Sequence, residues 1–188
     1  KNLNKGWDYY LWDDEKIKLK VDELLHNSDE GELFIEEVFS ENILFDDNKI
    51  KNASYDQDKG FGLRTVEQDS INFAHNNELT QDAFNNAFNS VKRKNYNSHN
   101  KLKSIPPKSN LSLYTNVNPI DQISLQEKIS FLNMINKFSR DLDQRVKEVS
   151  VSLNANFQNI EVITKNGNLF YDSRPLVRMN INISVQNK

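Results

Sequence analysis

The sequence contains no cysteine, and glycine and proline are scarce, with five and four residues in 188. Without cysteine the chain can form no disulfide, no thiolate zinc site and no cysteine nucleophile. No apolar run approaches the ~20 residues that a membrane-spanning helix needs, and the first residues lack the apolar segment of a secretory signal. These absences are typical of proteins of the reducing cytoplasm, where we expect this protein to work.

An excess of charge of one sign is also lacking. The 24 Lys and Arg residues nearly balance the 27 Asp and Glu residues, for a net charge of −3. No global positive field would draw the chain to nucleic acid or to an anionic membrane. One basic stretch, from Lys92 to Lys103, could touch nucleic acid, but a solvated connector is the favoured interpretation; its other members are Arg93, Lys94, Tyr96, His99 and Lys101. We therefore expect neither nucleic acid nor a membrane among its partners.

The clearest pattern lies in residues 124–188. Ser124 followed by Glu127 is a capping box, which predicts the start of a helix. An apolar residue then returns every three or four positions through about six turns, at Leu125, Ile129, Leu132, Ile135, Phe138, Leu142 and Val146. Asn133 and Asn136 are predicted to face away from this stripe. The period then changes to two, which predicts a four-stranded antiparallel meander over 149–153, 157–164, 168–172 and 177–185, with a tight turn at Asn166-Gly167.

The first half has a similar plan. A short helix is predicted to end near His26, and short strands then follow up to His75, with turns at 46–49 and 67–70. Gly60 and Gly62 indicate a bulge or a close backbone approach within one strand. Thr80 is predicted to cap a second helix, whose buried face is Ala83, Phe84, Ala87, Phe88 and Val91.

These patterns predict an α+β fold made of two helix-plus-antiparallel-sheet units. The first unit and its following helix take residues 1–94, and the long helix with its meander takes residues 124–188. Residues 95–123 are rich in polar residues and contain Pro106-Pro107 and Asn118-Pro119, so they are predicted to form a connector without regular structure.

Candidate site residues do not combine into a recognisable centre. His26 beside Asp29 and Glu30, or His75 beside Glu78, could bind a metal, but ordinary surface positions are the favoured interpretation. Three arginines could hold a substrate carboxylate or could pair with acidic residues on the sheet surface, namely Arg64, Arg174 and Arg178. An aromatic cluster near the start could form a carbohydrate or peptide platform or could pack onto the sheet; it contains Trp7, Tyr9, Tyr10, Leu11 and Trp12.

Several segments, in one consistent order, resemble the TldD branch of the TldD/PmbA family. Residues 145–153 read RVKEVSVSL and residues 172–178 read DSRPLVR, while residues 114–119 read YTNVNP and are followed by SLQEK at 124–128. The stretch KGFGLR at 59–64 is similar to the family's Gly-Val-Gly-Val-Arg strand, with Phe61 and Leu63 in place of smaller β-branched residues. The resemblance extends from about Glu32 to Val185.

The resemblance implies an amino-terminal domain of a cytoplasmic zinc metallopeptidase. Members of the family work as homo- or heterodimers of related subunits and act on peptides or unfolded proteins. They bind zinc through a His-Glu-x-x-x-His helix, in which the glutamate serves as the base for the attacking water. That motif is absent from this sequence, and the family carries it beyond the matching segment. We therefore expect zinc in the full-length protein, none bound by this chain, and no catalytic, cofactor-binding or metal-binding residue among residues 1–188.

Two functions follow as expectations. The first is a wall of the substrate chamber and of the dimer in such a peptidase, because a free sheet edge can hold an extended peptide through backbone hydrogen bonds. The second is a truncated, non-catalytic module that binds peptides or forms dimers.

Overall fold

The computed structural model describes residues 15–26, 28–68, 70–92, 113–165 and 168–186, with side chains from residue 19 onward. The elements are helices α1 (Glu15–His26), α2 (Gln81–Val91) and α3 (Leu125–Leu142), and strands β1 (Glu30–Asp46), β2 (Lys49–Glu67), β3 (Ser70–Asn76), β4 (Val146–Thr164) and β5 (Leu169–Val185). The predicted α+β class is confirmed. None of the helices in these ranges is long and apolar enough to cross a membrane.

The five strands form one antiparallel sheet in the order β3-β2-β1-β4-β5. The turn from β1 to β2 contains Asp47 and Asn48, whose φ angles are 47° and 61°. Two successive positive φ angles are typical of a tight hairpin turn, and aspartate and asparagine tolerate them well. The turn from β2 to β3 contains Gln68 at φ 52°. Both turns were predicted and are confirmed, whereas Asn166-Gly167 lies outside the described residues.

The strands are longer than the sequence pattern predicts. The four-stranded meander expected in residues 124–188 is wrong, because β4 and β5 run unbroken for 19 and 17 residues. The predicted break near Asn154 fails because Asn154 and Asn156 occupy the less buried positions on either side of buried Ala155. The predicted break at Pro175 fails because β5 is an edge strand, where a missing backbone N–H costs no ladder hydrogen bond.

The structure divides into two compact units that each take parts of both halves of the chain. The first consists of the described residues of Lys1–Glu37, Asp58–Thr115 and Asn159–Ser173, and the second of those of Val38–Gln57, Asn116–Gln158 and Arg174–Lys188. The sequence-based division at residues 94 and 124 remains a prediction. Within the predicted connector, Pro119–Gln122 form one turn of 3₁₀ helix, started by the Asn118 side chain, which accepts a hydrogen bond from the Ile120 N–H at 3.0 Å.

The core of the first unit lies between α1, α2 and the sheet. Helix α2 begins as predicted, with the Thr80 hydroxyl accepting a hydrogen bond from the Ala83 N–H at 3.2 Å. Its five predicted apolar residues are all buried, and Phe84 packs against Phe61 and Phe88 with ring centroids 6.2 Å apart in both pairs. Burial of these aromatic rings helps to hold α2 against the sheet.

The core of the second unit lies between α3 and the sheet. Leu132 is fully buried against a group formed by Ile43, Phe45, Val149 and Val151. The capping box at Ser124 and Glu127 is confirmed, with the Ser124 N–H donating to the Glu127 carboxylate at 2.9 Å.

The predicted apolar stripe of α3 is partly wrong. Its members Leu125, Phe138 and Leu142 are 47%, 64% and 68% exposed, and Val146 belongs to β4. The buried positions are instead Lys128, Leu132, Asn136 and Ser139. Polar residues can occupy this face because each has a partner; the Asn136 amide donates to Asn48 Oδ1 and accepts from Arg140 Nε. The expectation that Asn136 faces away is therefore wrong, whereas Asn133 is exposed as expected.

Candidate functional site

The residues weighed as metal ligands lie at separate surface positions. His26 is exposed in the last turn of α1, and the Asp29 carboxylate accepts the Gln68 N–H at 2.6 Å, so it fixes a turn. His75 is exposed on β3, where its ring stacks on Phe73 with centroids 5.6 Å apart. Across the described ranges no group of three or more His, Cys, Asp or Glu side chains could hold a metal ion. With this donor set, the described residues do not fit a catalytic zinc site.

The three candidate arginines have different surroundings. Arg64 on β2 donates to Glu32 on β1 at 3.3 Å, which is the surface pairing that the sequence allowed. Arg178 donates to Asn180 Oδ1 at 3.1 Å on its own strand, and Arg174 is exposed on β5. The aromatic cluster at 7–12 and the basic stretch beyond Lys92 lie outside the described residues. Lys92 itself ends α2, with its ammonium 5.6 Å from the centre of the Phe88 ring.

A buried ion pair holds the start of α3 against the sheet. The Lys128 ammonium donates to the Glu41 carboxylate on β1 and to the Ile120 carbonyl oxygen, both at 2.6 Å. The two side chains are only 7% and 11% exposed. Sequence reasoning missed this pair, although Lys128 lies one helical turn before Leu132 and that spacing places both on one face. The pair positions the helix and the 3₁₀ turn, and it makes no chemistry available at the surface.

Asp143 and Arg145 set the corner between α3 and β4. Arg145 is the first residue of the segment at 145–153 that resembles the family, and Asp143 lies two residues before it. Arg145 Nη2 donates to the Asp143 carboxylate at 2.7 Å, and Arg145 Nε donates to it at 3.1 Å. These side-chain hydrogen bonds lower the pKa of the Asp143 carboxyl to about 2. The pair is therefore charged at neutral pH, and its role is to fix the turn into β4.

The sheet has two edges, and β3 forms the shorter one. This strand has seven residues, and α2 packs against it. A Cβ atom on Gly60 would lie 2.9 Å from the Asn76 carbonyl oxygen, and one on Gly62 would lie 3.2 Å from the Phe73 ring. The predicted close approach at these glycines is confirmed, and it lets β3 pair closely with β2 in the sheet. The exposed side chains on this edge include Ile71 and Phe73, at 68% and 61%.

Strand β5 forms the other edge, and its second half carries a continuous row of exposed apolar side chains. Val177, Met179, Ile181, Ile183 and Val185 alternate with polar residues and are between 42% and 59% exposed. Asn180 Nδ2 donates to Ser152 Oγ of β4 at 3.3 Å, so the even-numbered residues of both strands share one face of the sheet. The apolar row therefore lies on the other face, together with Val149 and Val151, against which α3 packs. The sequence identified this strand, but it could not show that the row is left exposed by the described part of the chain.

The geometry thus defines an α+β protein built on long antiparallel strands, with exposed sheet edges and no metal-binding group among the residues described. Comparison with known proteins identifies the family. Two domain models of one family match the chain in order: PmbA/TldA metallopeptidase domain 1 at residues 31–93 and the PmbA/TldA metallopeptidase central domain at residues 118–188. The chain belongs to the PmbA/TldD family of metallopeptidases.

Its relatives are much longer. A metalloprotease TldD homolog from Buchnera aphidicola is 29% identical over 182 residues, which cover 92% of this chain and 36% of that protein. A metalloprotease TldD homolog from Haemophilus influenzae is 26% identical over 166 residues, which cover 85% of this chain and 34% of that protein. The chain spans about a third of the length of these relatives.

Solved structures share the fold. A candidate modulator of DNA gyrase from Bacteroides thetaiotaomicron superimposes with a TM-score of 0.66 at 14% identity, over 94% of this chain and 43% of that one. TldE from Thermococcus kodakarensis gives a TM-score of 0.62 at 16% identity, over 92% of this chain and 39% of that one. At these identities the likeness establishes the fold alone.

Proposed function

We propose that this chain supplies the amino-terminal and central part of a TldD-type zinc metallopeptidase that acts on peptides or unfolded proteins in the cytoplasm. In this proposal the chain forms a wall of the substrate chamber and of the dimer, and the zinc site lies outside residues 1–188. The observation that carries the proposal is that two domains of a metallopeptidase family match the chain in order. The chain covers only about a third of the length of its relatives, which leaves the zinc site to the rest of the protein.

Two structural features support the wall. The sheet has β3 and β5 at its edges, with no further strand of the described residues paired to either one. Such edges can bind extended polypeptide through backbone hydrogen bonds without reading its sequence. The described residues contain no group of three or more side chains that could hold a metal ion, and their two histidines lie on different elements, α1 and β3. In this proposal, this part of the molecule binds polypeptide and the catalytic residues lie outside residues 1–188.

The test is peptide hydrolysis and peptide binding on one purified sample of the chain. We expect no turnover of a peptide mixture or of an unfolded protein, with or without added zinc, and weak binding of extended peptides at roughly micromolar to millimolar strength. Zinc-dependent cleavage by this chain, in a sample shown to be free of contaminating protease, would overturn the placement of catalysis outside it. Complete indifference to extended peptides would count against the chamber wall.

The second candidate is a non-catalytic module that binds peptides or forms dimers. The exposed apolar row on β5 favours it, because such a row also suits a stable partner. The nucleotide sequence that follows the codon for Lys188 separates the candidates. An open frame that encodes His-Glu-x-x-x-His supports the peptidase, and an immediate stop codon supports the module.

A further inference from the structure

We propose that two copies of this chain pair through the open edge of β5, antiparallel and about a two-fold axis at Ile181. This inference rests on the proposed function, which includes a dimer, and it names the surface through which that dimer forms. The surface is residues 177–185, called the β5 edge below.

The β5 edge has backbone groups available for a further strand. β5 is the last strand in the sheet order, so one side of it is paired with β4, and no strand among the described residues pairs with its other side. The Gln186 N–H donates to the Arg145 carbonyl oxygen at 3.0 Å, which shows that Gln186 points its backbone groups toward the β4 side. Because this direction alternates along a strand, the odd-numbered residues 177–185 point their N–H and C=O groups outward.

The β5 edge is complementary to itself. It reads VRMNINISV, which has the same order of apolar and polar residues in both directions. In an antiparallel pair centred on Ile181, Val177 faces Val185 of the second copy and Met179 faces its Ile183. Ile181 faces its own counterpart, so every outward-pointing residue meets an apolar one. The pairing would form roughly ten backbone hydrogen bonds, two for each hydrogen-bonded residue pair.

Charge also favours a second copy. Arg178 is the single charged residue of the β5 edge, and in this register it faces Ser184, so no like charges meet. The β5 edge contains no Lys, Pro or Gly, which are the residues that usually protect an open strand from pairing. An interface in which the same residues serve both partners is the form that a two-fold axis requires.

The neighbouring helix adds apolar surface on the same face of the sheet. α3 packs on the face that carries the apolar row, and five of its own apolar residues are exposed by 45% to 68%, namely Leu125, Phe131, Met134, Phe138 and Leu142. A second copy would bring its own apolar row alongside the first. Pairing of the two copies therefore removes apolar surface from water, and it also provides hydrogen-bond partners for the backbone groups of the β5 edge.

The absence of cysteine allows a test of the register by disulfide cross-linking. In a hydrogen-bonded antiparallel pair the two Cα atoms are about 5.5 Å apart, within the range that a disulfide spans. Ile181→Cys places two cysteines opposite each other on the axis. Ile183→Cys is the matched control. In this register Ile183 faces Met179 of the second copy, so the two cysteines lie four residues apart along the strands, or about 13 Å, which is too far for a disulfide. Both substitutions keep a small apolar side chain on an edge strand, and circular dichroism is the check that each variant folds.

The expected result has two parts. The unmodified chain sediments as a monomer–dimer equilibrium between about 1 μM and about 1 mM, and under mild oxidation Ile181→Cys gives at least about tenfold more covalent dimer than Ile183→Cys. A chain that stays monomeric throughout this range overturns the proposal, as does a dimer in which the two variants cross-link equally. The hydrolysis test of the proposed function does not depend on the β5 edge, and extended peptide can still add to β3 at the other edge of the sheet, so the two proposals can fail separately. Peptide bound at the β5 edge of a strictly monomeric chain would assign that edge to peptide instead.

Discussion

Replacing Leu132 by alanine is expected to lower the free energy of unfolding by about 2–5 kcal/mol, the range for emptying a core leucine site. Leu132 has no exposed surface and packs against Ile43, Val149 and Val151, which join α3 to two strands of the second unit. The rigid sheet beneath it can close only part of the cavity, so the loss includes both transfer and cavity contributions. Chemical denaturation followed by circular dichroism gives the value.

Phe138→Ala is the matched control for this substitution. The apolar period of the sequence places both residues on one stripe, whereas the structure leaves Phe138 64% exposed. We expect a change of about 0.5 kcal/mol or less, as for surface positions generally. Similar losses at the two positions would mean that α3 packs through the stripe that the sequence suggested, and that the described orientation of the helix is wrong.

Replacing Lys128 by methionine is expected to cost about 3–5 kcal/mol, because it leaves the Glu41 carboxylate buried without its partner. The Lys128 ammonium donates to Glu41 and to the Ile120 carbonyl oxygen, so both acceptors lose a short charge-assisted hydrogen bond. The double variant Lys128→Met, Glu41→Leu removes the charge together with its partner. Its unfolding free energy should lie near that of the unmodified chain, since a buried ion pair is often replaced by apolar residues at no net cost.

The surface pair Arg64–Glu32 serves as the control for this experiment. Its side chains are 36% and 40% exposed, so Arg64→Met should change the free energy of unfolding by about 0–1 kcal/mol. If Lys128→Met were as mild as Arg64→Met, the pair with Glu41 would be solvated and the described burial of α3 would be wrong. If the double variant were as unstable as the single one, the loss would come from packing of the lysine stem.

Local signals in the sequence predicted the parts of the fold that local chemistry decides. The caps at Thr80 and Ser124 and the turns at Asp47-Asn48 and Gln68 follow from side chains that satisfy nearby backbone groups or tolerate positive φ angles. The buried face of α2 also followed from its period, because that helix packs on one side only. These features depend on a few neighbouring residues, which the sequence shows directly.

Features that depend on distant partners could not be predicted in this way. Asn154 and Pro175 resemble strand ends, yet they continue β4 and β5 because neighbouring strands or an open edge make them acceptable. Lys128 and Asn136 look like surface residues, and each is buried because a residue more than 85 positions away accepts its hydrogen bond. The exposed apolar row on β5 has the pattern of a buried strand, and only the order of strands shows that nothing in the described part of the sheet covers it.

Calorimetric titration of the purified chain with zinc tests most directly the claim that this part of a metallopeptidase carries no metal site of its own. The chain has no cysteine and three histidines, and a catalytic zinc site needs three protein ligands brought together. The account predicts weak heats without a stoichiometric endpoint, as for a generic acidic surface. Binding of one zinc ion per chain at submicromolar strength would contradict it and would place the metal site within residues 1–188.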